Sequence, residues 1–152
     1  MIELIPSPGI ERQTNIDFKL LSSILTSVLE TAHKKRINIK AKVHKSKEAG
    51  TSLCEYKDKW NYKISLDQDN VKKRYQWTAL LHELRHCIQF NLYGFWPNTV
   101  AFKSYKQYFT AAEEVDARKM EKMYGEIVKI YEYNVKAQAK FKKLGLNTIK
   151  GM

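Results

Sequence analysis

The apolar residues of this chain change their spacing twice, and that change of period constrains the fold more than any other feature. From Asp17 onward Phe18, Leu21, Ile24, Leu25, Val28 and Leu29 recur every three or four residues, which predicts a helix over about residues 17–35. Asn15 or Asp17 supplies its N-cap. Between residues 39 and 66 the period becomes two. Ile39, Ala41 and Val43 alternate with lysines, Glu48-Ala49-Gly50 forms a turn, and Ser52–Lys57 runs back. A second turn at Asp58-Lys59 leads into Trp60, Tyr62, Ile64 and Leu66, which alternate with polar residues. The expected product is an antiparallel meander with one face buried and one face wet.

Helical spacing returns after Asp69 or Asn70, either of which can cap a helix that begins at Val71. Its apolar stripe runs through Tyr75, Leu80, Leu81, Leu84 and Ile88, and Gly94 ends it. Residues 1–16, with Pro6, Pro8 and Gly9, read as an irregular lead-in, and Phe95–Thr99 reads as a loop. A last helical region covers about Ser104–Leu144, broken near Thr110, weakened at Gly125 and stopped by Gly145. At 152 residues the chain fits one domain, 1–152, able to bury its own core. The expected class is α+β, a small antiparallel sheet packed on the central helix with helices flanking it.

That central helix carries His82-Glu83-Leu84-Arg85-His86. Histidines four apart on a helix project from one face, so both imidazoles reach one tetrahedral zinc ion. Glu83 lies one position past the first histidine, too oblique to share the ligand face but close enough to take a proton from water on the metal. His82 and His86 are therefore the candidate ligands and Glu83 the candidate general base. Arg85 and Cys87 point off the ligand face, Cys87 by about 100° from His86. Neither receives a catalytic role.

A catalytic zinc site usually takes three protein ligands and leaves one position for water. The chain has four histidines, and none follows His86. A third histidine six residues after the second is excluded, because Leu92 stands there. His33 and His44 read as exposed residues beside lysines. A downstream carboxylate is left, and Glu113, Glu114 and Asp116 are clustered on one predicted helix. Glu114 is the first candidate, because Ala117 one turn later lets that helix pack closely against the histidine helix. Glu113 is the second, and Asp116 can accept a hydrogen bond from a histidine N–H. Tyr93, Tyr105 and Tyr108 are candidates for an oxyanion stabiliser. Trp60, Trp77 and Trp96 read as packing residues.

The spacing and order of these residues resemble the gluzincin branch of zinc metallopeptidases: His82-Glu83-x-x-His86 followed, after a loop, by Glu114-x-x-Ala117. Size and element order are similar to the compact zincin domains of bacterial and phage proteins, such as the ImmA/IrrE-like and SprT-like groups. The resemblance runs from about Asp17 to Met123, with the five-residue motif its specific part. It implies His82, His86 and Glu114 as zinc ligands, Glu83 as base, hydrolysis of a protein or peptide substrate, and edge pairing of an extended peptide on the strand at Trp60–Leu66. Two positions depart from the families. Arg118 stands where many gluzincins have an aspartate four residues after the ligand glutamate, and the downstream histidine of the SprT-like pattern is missing.

Charge adds a second line of expectation. The net charge is +11, and from Arg118 to Lys150 nine Lys or Arg residues face three glutamates. Such a surface suits an anionic partner, nucleic acid included, although lysine reads base edges less well than arginine. The alternative function is therefore a non-catalytic zincin-like or basic nucleic-acid-associated protein that keeps the metal site for structure. Cys54 and Cys87 read as free thiols of a reducing compartment. The lack of an 18-residue apolar run or of a basic leader points to a cytoplasmic protein with no membrane partner, in a host cytoplasm were the source viral.

Overall fold

The structure is a computed structural model that describes residues 1–46, 52–67, 76–94 and 111–145, apart from the side chains of 56, 76–78, 112–113 and 120–123. Its elements in chain order are β1 (Ile2–Pro6), α1 (Ile10–Thr14), α2 (Phe18–His33), β2 (Ile39–Lys45), β3 (Leu53–Tyr56), β4 (Asn61–Leu66), α3 (Gln76–Tyr93) and α4 (Ala112–Lys143). The class is α+β, as expected, but the sheet is mixed rather than antiparallel. Strand order is β1-β2-β4-β3, with β1 and β4 both parallel to β2 and only β3 antiparallel to β4.

Two expectations change for one reason. The lead-in at 1–16 is a strand and a short helix, and the meander is replaced by a hairpin whose second strand lies inside the sheet. Ile2 and Leu4 alternate over too short a run to announce a strand, yet both are buried. β1 passes through α1 and α2 before β2, so the crossover that parallel pairing needs is present in the chain. Tyr62, Ile64 and Leu66 are all buried, which suits an interior strand flanked by β2 and β3. The strand over 61–66 is accordingly no edge, and an extended peptide has no free ladder there.

Side-chain hydroxyls of α2 occupy the outer edge of β1. The Ile2 and Leu4 N–H groups donate to Thr26 Oγ1 and Ser22 Oγ, each at 2.9 Å. This satisfies backbone donors that an edge strand otherwise offers to other chains. α2 begins at Asp17, whose carboxylate accepts the Leu20 N–H at 3.1 Å, and the Asp17 N–H donates to Tyr131 Oη of α4 at 2.8 Å. Asp17→Ala is expected to lower stability by about 1 kcal/mol, the typical loss of an N-cap. A urea titration checks it.

α3 packs on β4 and β3, and its Leu80, Leu81, Leu84, Cys87 and Ile88 are all buried. Gly94, at φ 65°, closes it with an N–H bond to the Phe90 carbonyl at 2.8 Å. The expected start at Val71, and the region from Ser104 to Thr110, lie outside the described residues. α4 runs unbroken through Gly125 and packs on α3 and α2, so the metal-motif helix sits between the sheet and α4. Trp60 is exposed rather than packed; the Trp77 side chain and Trp96 lie outside the described residues. Cys54 Sγ and Cys87 Sγ are free thiols 3.3 Å apart. Among the described residues no helix is long and apolar enough to cross a membrane.

Candidate metal centre

α3 and the first turns of α4 build the site. The i, i+4 spacing puts the His82 and His86 rings on one face with centroids 5.0 Å apart. Glu114, in the first turn of α4, reaches between them. Its Oε2 is 3.0 Å from His82 Nε2 and its Oε1 is 3.1 Å from His86 Nε2. Among the described residues these three form a group able to hold a metal ion, with one ligand atom from each and all within 4.8 Å of one another. Tetrahedral coordination at the usual zinc distances separates ligand atoms by about 3.3 Å, and each histidine nitrogen already stands at 3.0–3.1 Å from a Glu114 oxygen. Ala117, one turn beyond Glu114, is fully buried, in keeping with a small residue at the helix contact. The Glu113 side chain lies outside the described residues.

The chemistry of the contacts also fits a cation. His86 Nδ1 lies 2.8 Å from Gln89 Oε1, so both nitrogens of this imidazole face an oxygen acceptor. Both can be satisfied only if each nitrogen carries a hydrogen or a metal ion. Burial disfavours a charged His86, but the Glu114 hydrogen bond and the charges of Glu83 and Glu114 outweigh it and raise its pKa. Burial would likewise raise Glu114, yet hydrogen bonds from His82 and His86 hold its carboxyl far below the ordinary range. Glu83 is 7% exposed, and burial lifts its pKa above the usual 4.5 despite the opposing charges of His86 and His82.

These directions give a test without any ion. Stability from a raised pKa is complete below the unfolded value and is lost as pH rises through the folded one. His86 and Glu83 both contribute in this sense, and the depressed Glu114 contributes in the opposite one. The cluster of the chelated protein should therefore be most stabilising between the unfolded values of 4.5 and 6.5. Thermal melts of chelated protein should fall from weakly acidic toward alkaline pH, and zinc should restore them, because a ligand bound only by the native state stabilises it.

A polar network stands behind His86. Gln89 Nε2 donates to Asp116 Oδ2 at 2.6 Å, and Arg85 holds the same carboxylate through Nε at 2.8 Å and Nη2 at 3.4 Å. Asp116 thus reaches the histidine through Gln89 instead of accepting its N–H directly. Arg85 and Gln89 were not legible as site residues, though each leaves a trace: a polar side chain inside an otherwise apolar helical stripe, 5% and 3% exposed. His33 belongs to the far end of this network, with Nε2 3.4 Å from Arg85 Nη1. It is neither a simple exposed residue nor a member of the metal group. His44 lies on β2, also outside that group. Tyr93 is exposed and bonds to His33 Nδ1 at 3.2 Å, while Tyr105 and Tyr108 lie outside the described residues.

No family model, no curated protein and no solved structure matches this chain.

Proposed function

We propose that this chain is a zinc-dependent hydrolase of peptide bonds, a compact HExxH metallopeptidase of gluzincin type with a zincin-like fold. One observation carries the reading: two imidazole nitrogens and a carboxylate converge within 4.8 Å beside a buried glutamate on the same helix. Two histidines and a carboxylate suit zinc better than the hard cations that prefer all-oxygen sites. His82, His86 and Glu114 would hold the ion. Bound there, zinc supplies Lewis acidity, which makes water a stronger acid near neutral pH.

The remaining work falls to the chain's own groups. Glu83 takes the proton from the attacking water at its carboxylate and returns it to the leaving amine, a task suited to a carboxylate whose pKa burial has raised. Gln89 and Asp116 hold His86 in place. Among the described residues β3, Leu53–Tyr56, is paired with β4 on one side only, and its other side would take an extended peptide. Incubating the zinc-reconstituted protein with an unfolded protein substrate and mapping fragments by mass spectrometry tests the activity. We expect cleavage that a chelator abolishes and zinc restores. A fully zinc-loaded protein that leaves unfolded substrates intact would favour the structural reading of the site.

The C-terminal end of α4 supports a second, weaker role. Lys136, Lys140, Lys142 and Lys143 are all exposed along it. Any DNA affinity should be insensitive to sequence and fall steeply from low to physiological salt, because counterion release drives it. Fluorescence anisotropy across a salt series checks this, and sequence-selective binding at high salt would contradict it.

A further inference from the structure

We infer that Arg85, Asp116 and Gln89 act as a positioning relay that fixes the tautomer of His86 and so decides how well the site takes a metal. The inference rests on the metal-centre reading and adds a mechanism to it. An imidazole can offer a lone pair to an ion from Nε2 only if its remaining hydrogen sits on Nδ1. That hydrogen stays on Nδ1 if the group facing it accepts and does not donate. The facing group is a primary amide, which can do either, because half a turn about its last bond exchanges oxygen and nitrogen.

The far end of the amide removes that freedom. Gln89 faces Asp116 at 2.6 Å, and a carboxylate only accepts. The amide nitrogen must therefore point to Asp116, which turns the amide oxygen to His86 Nδ1, where it stands at 2.8 Å. A flipped amide would set oxygen against oxygen at Asp116 and two donors against each other at His86. Arg85 keeps Asp116 an acceptor by holding both carboxylate oxygens from a position 5% exposed. Information thus runs in one direction, from guanidinium to carboxylate to amide to imidazole. Each group's polarity is set by the one before it. The relay spans both helices of the site, since Arg85 and Gln89 lie on α3 and Asp116 lies on α4 two residues after Glu114. The same α4 turn that brings the third ligand also brings the group that orients the second.

Asp116→Ala is the most informative change, because Arg85 Nε and Gln89 Nε2 both donate to Asp116 Oδ2 and only loss of that acceptor frees the amide. The Gln89 amide can then flip, and His86 loses its preference for Nδ1–H. Gln89→Leu removes the amide outright and serves as the second variant. Two readouts are needed. Long-range ¹H–¹⁵N correlation spectra at a pH where His86 is neutral report its tautomer without any ion, provided they are taken in a Glu114→Ala background that removes the competing acceptor at Nε2. In that background we expect Nδ1–H with Asp116 and Gln89 intact, and a mixed or Nε2–H population when either is replaced. Zinc affinity from competition with a chromophoric chelator should fall about 10–100-fold in both single variants, the range for losing a partner of a ligating histidine. Unaltered tautomer and affinity in folded Asp116→Ala and Gln89→Leu proteins would overturn the relay and leave the metal centre standing. The expected tautomers, together with a wild type that binds no zinc, would overturn the metal centre and with it the purpose assigned to the relay.

Discussion

Glu83→Gln is expected to keep its zinc and lose nearly all hydrolytic activity, a fall of about 10²–10⁴-fold, the usual contribution of a positioned general base. The amide copies the shape of the carboxylate but has no lone pair basic enough to take the proton. Glu83 follows His82 on α3 and lies outside the ligand group, so the three ligand atoms are untouched by the change. Its burial gives the comparison force. At 7% exposure the carboxylate is held mainly by protein, and desolvation is the chief cause of its raised pKa. Glutamine relieves that desolvation cost, so the variant should be at least as stable as the wild type while turning over far less substrate. Steady-state rates on a verified substrate, with zinc content measured on the same samples, decide the matter. A zinc-loaded variant working at the wild-type rate would remove Glu83 from the mechanism.

Glu114→Ala carries the second large effect: zinc binding should weaken by at least tenfold, because even a partner outside the ligand set costs that much and Glu114 is placed to be a ligand. The variant also exposes a second consequence of the geometry. Without the carboxylate, His82 Nε2 and His86 Nε2 lose the acceptor that each now faces at 3.0 and 3.1 Å. The raised pKa of His86 should fall back, because the Glu114 hydrogen bond is the largest contribution raising it. Glu113→Ala should change zinc affinity little, since adjacent helical side chains diverge by about 100° and normally only one reaches the ion. Chelator-competition titrations of both variants separate them. Equal losses, or a loss confined to Glu113→Ala, would shift the ligand register by one residue.

The site was more legible than the sheet, for a physical reason. Helical period fixes which side chains share a face, so His82 and His86 could be paired from spacing alone, and a small residue one turn from Glu114 singled out that acid. Strand period fixes only which face a residue takes. The alternation of Ile39, Ala41 and Val43 holds equally for parallel and antiparallel neighbours, so it left open that β1 and β4 both run parallel to β2. The partner of β2 on one side is a five-residue strand at the chain's start, whose Pro6 and Pro8 looked like loop. The burial of Ser65 along with Tyr62, Ile64 and Leu66 hinted at an interior strand, but only in three dimensions. Gln89 carries no chemical signal in the sequence because glutamine has no chemistry of its own at a metal site. It acquires a role from what lies on either side of it.

The most direct test of the account is the metal content of the purified protein by elemental analysis, set beside a His82→Ala/His86→Ala double variant. The wild type should carry close to one equivalent of zinc and the variant almost none. Wild-type protein that stays metal-free after zinc supplementation, or a double variant that holds zinc as well as the wild type, would contradict it.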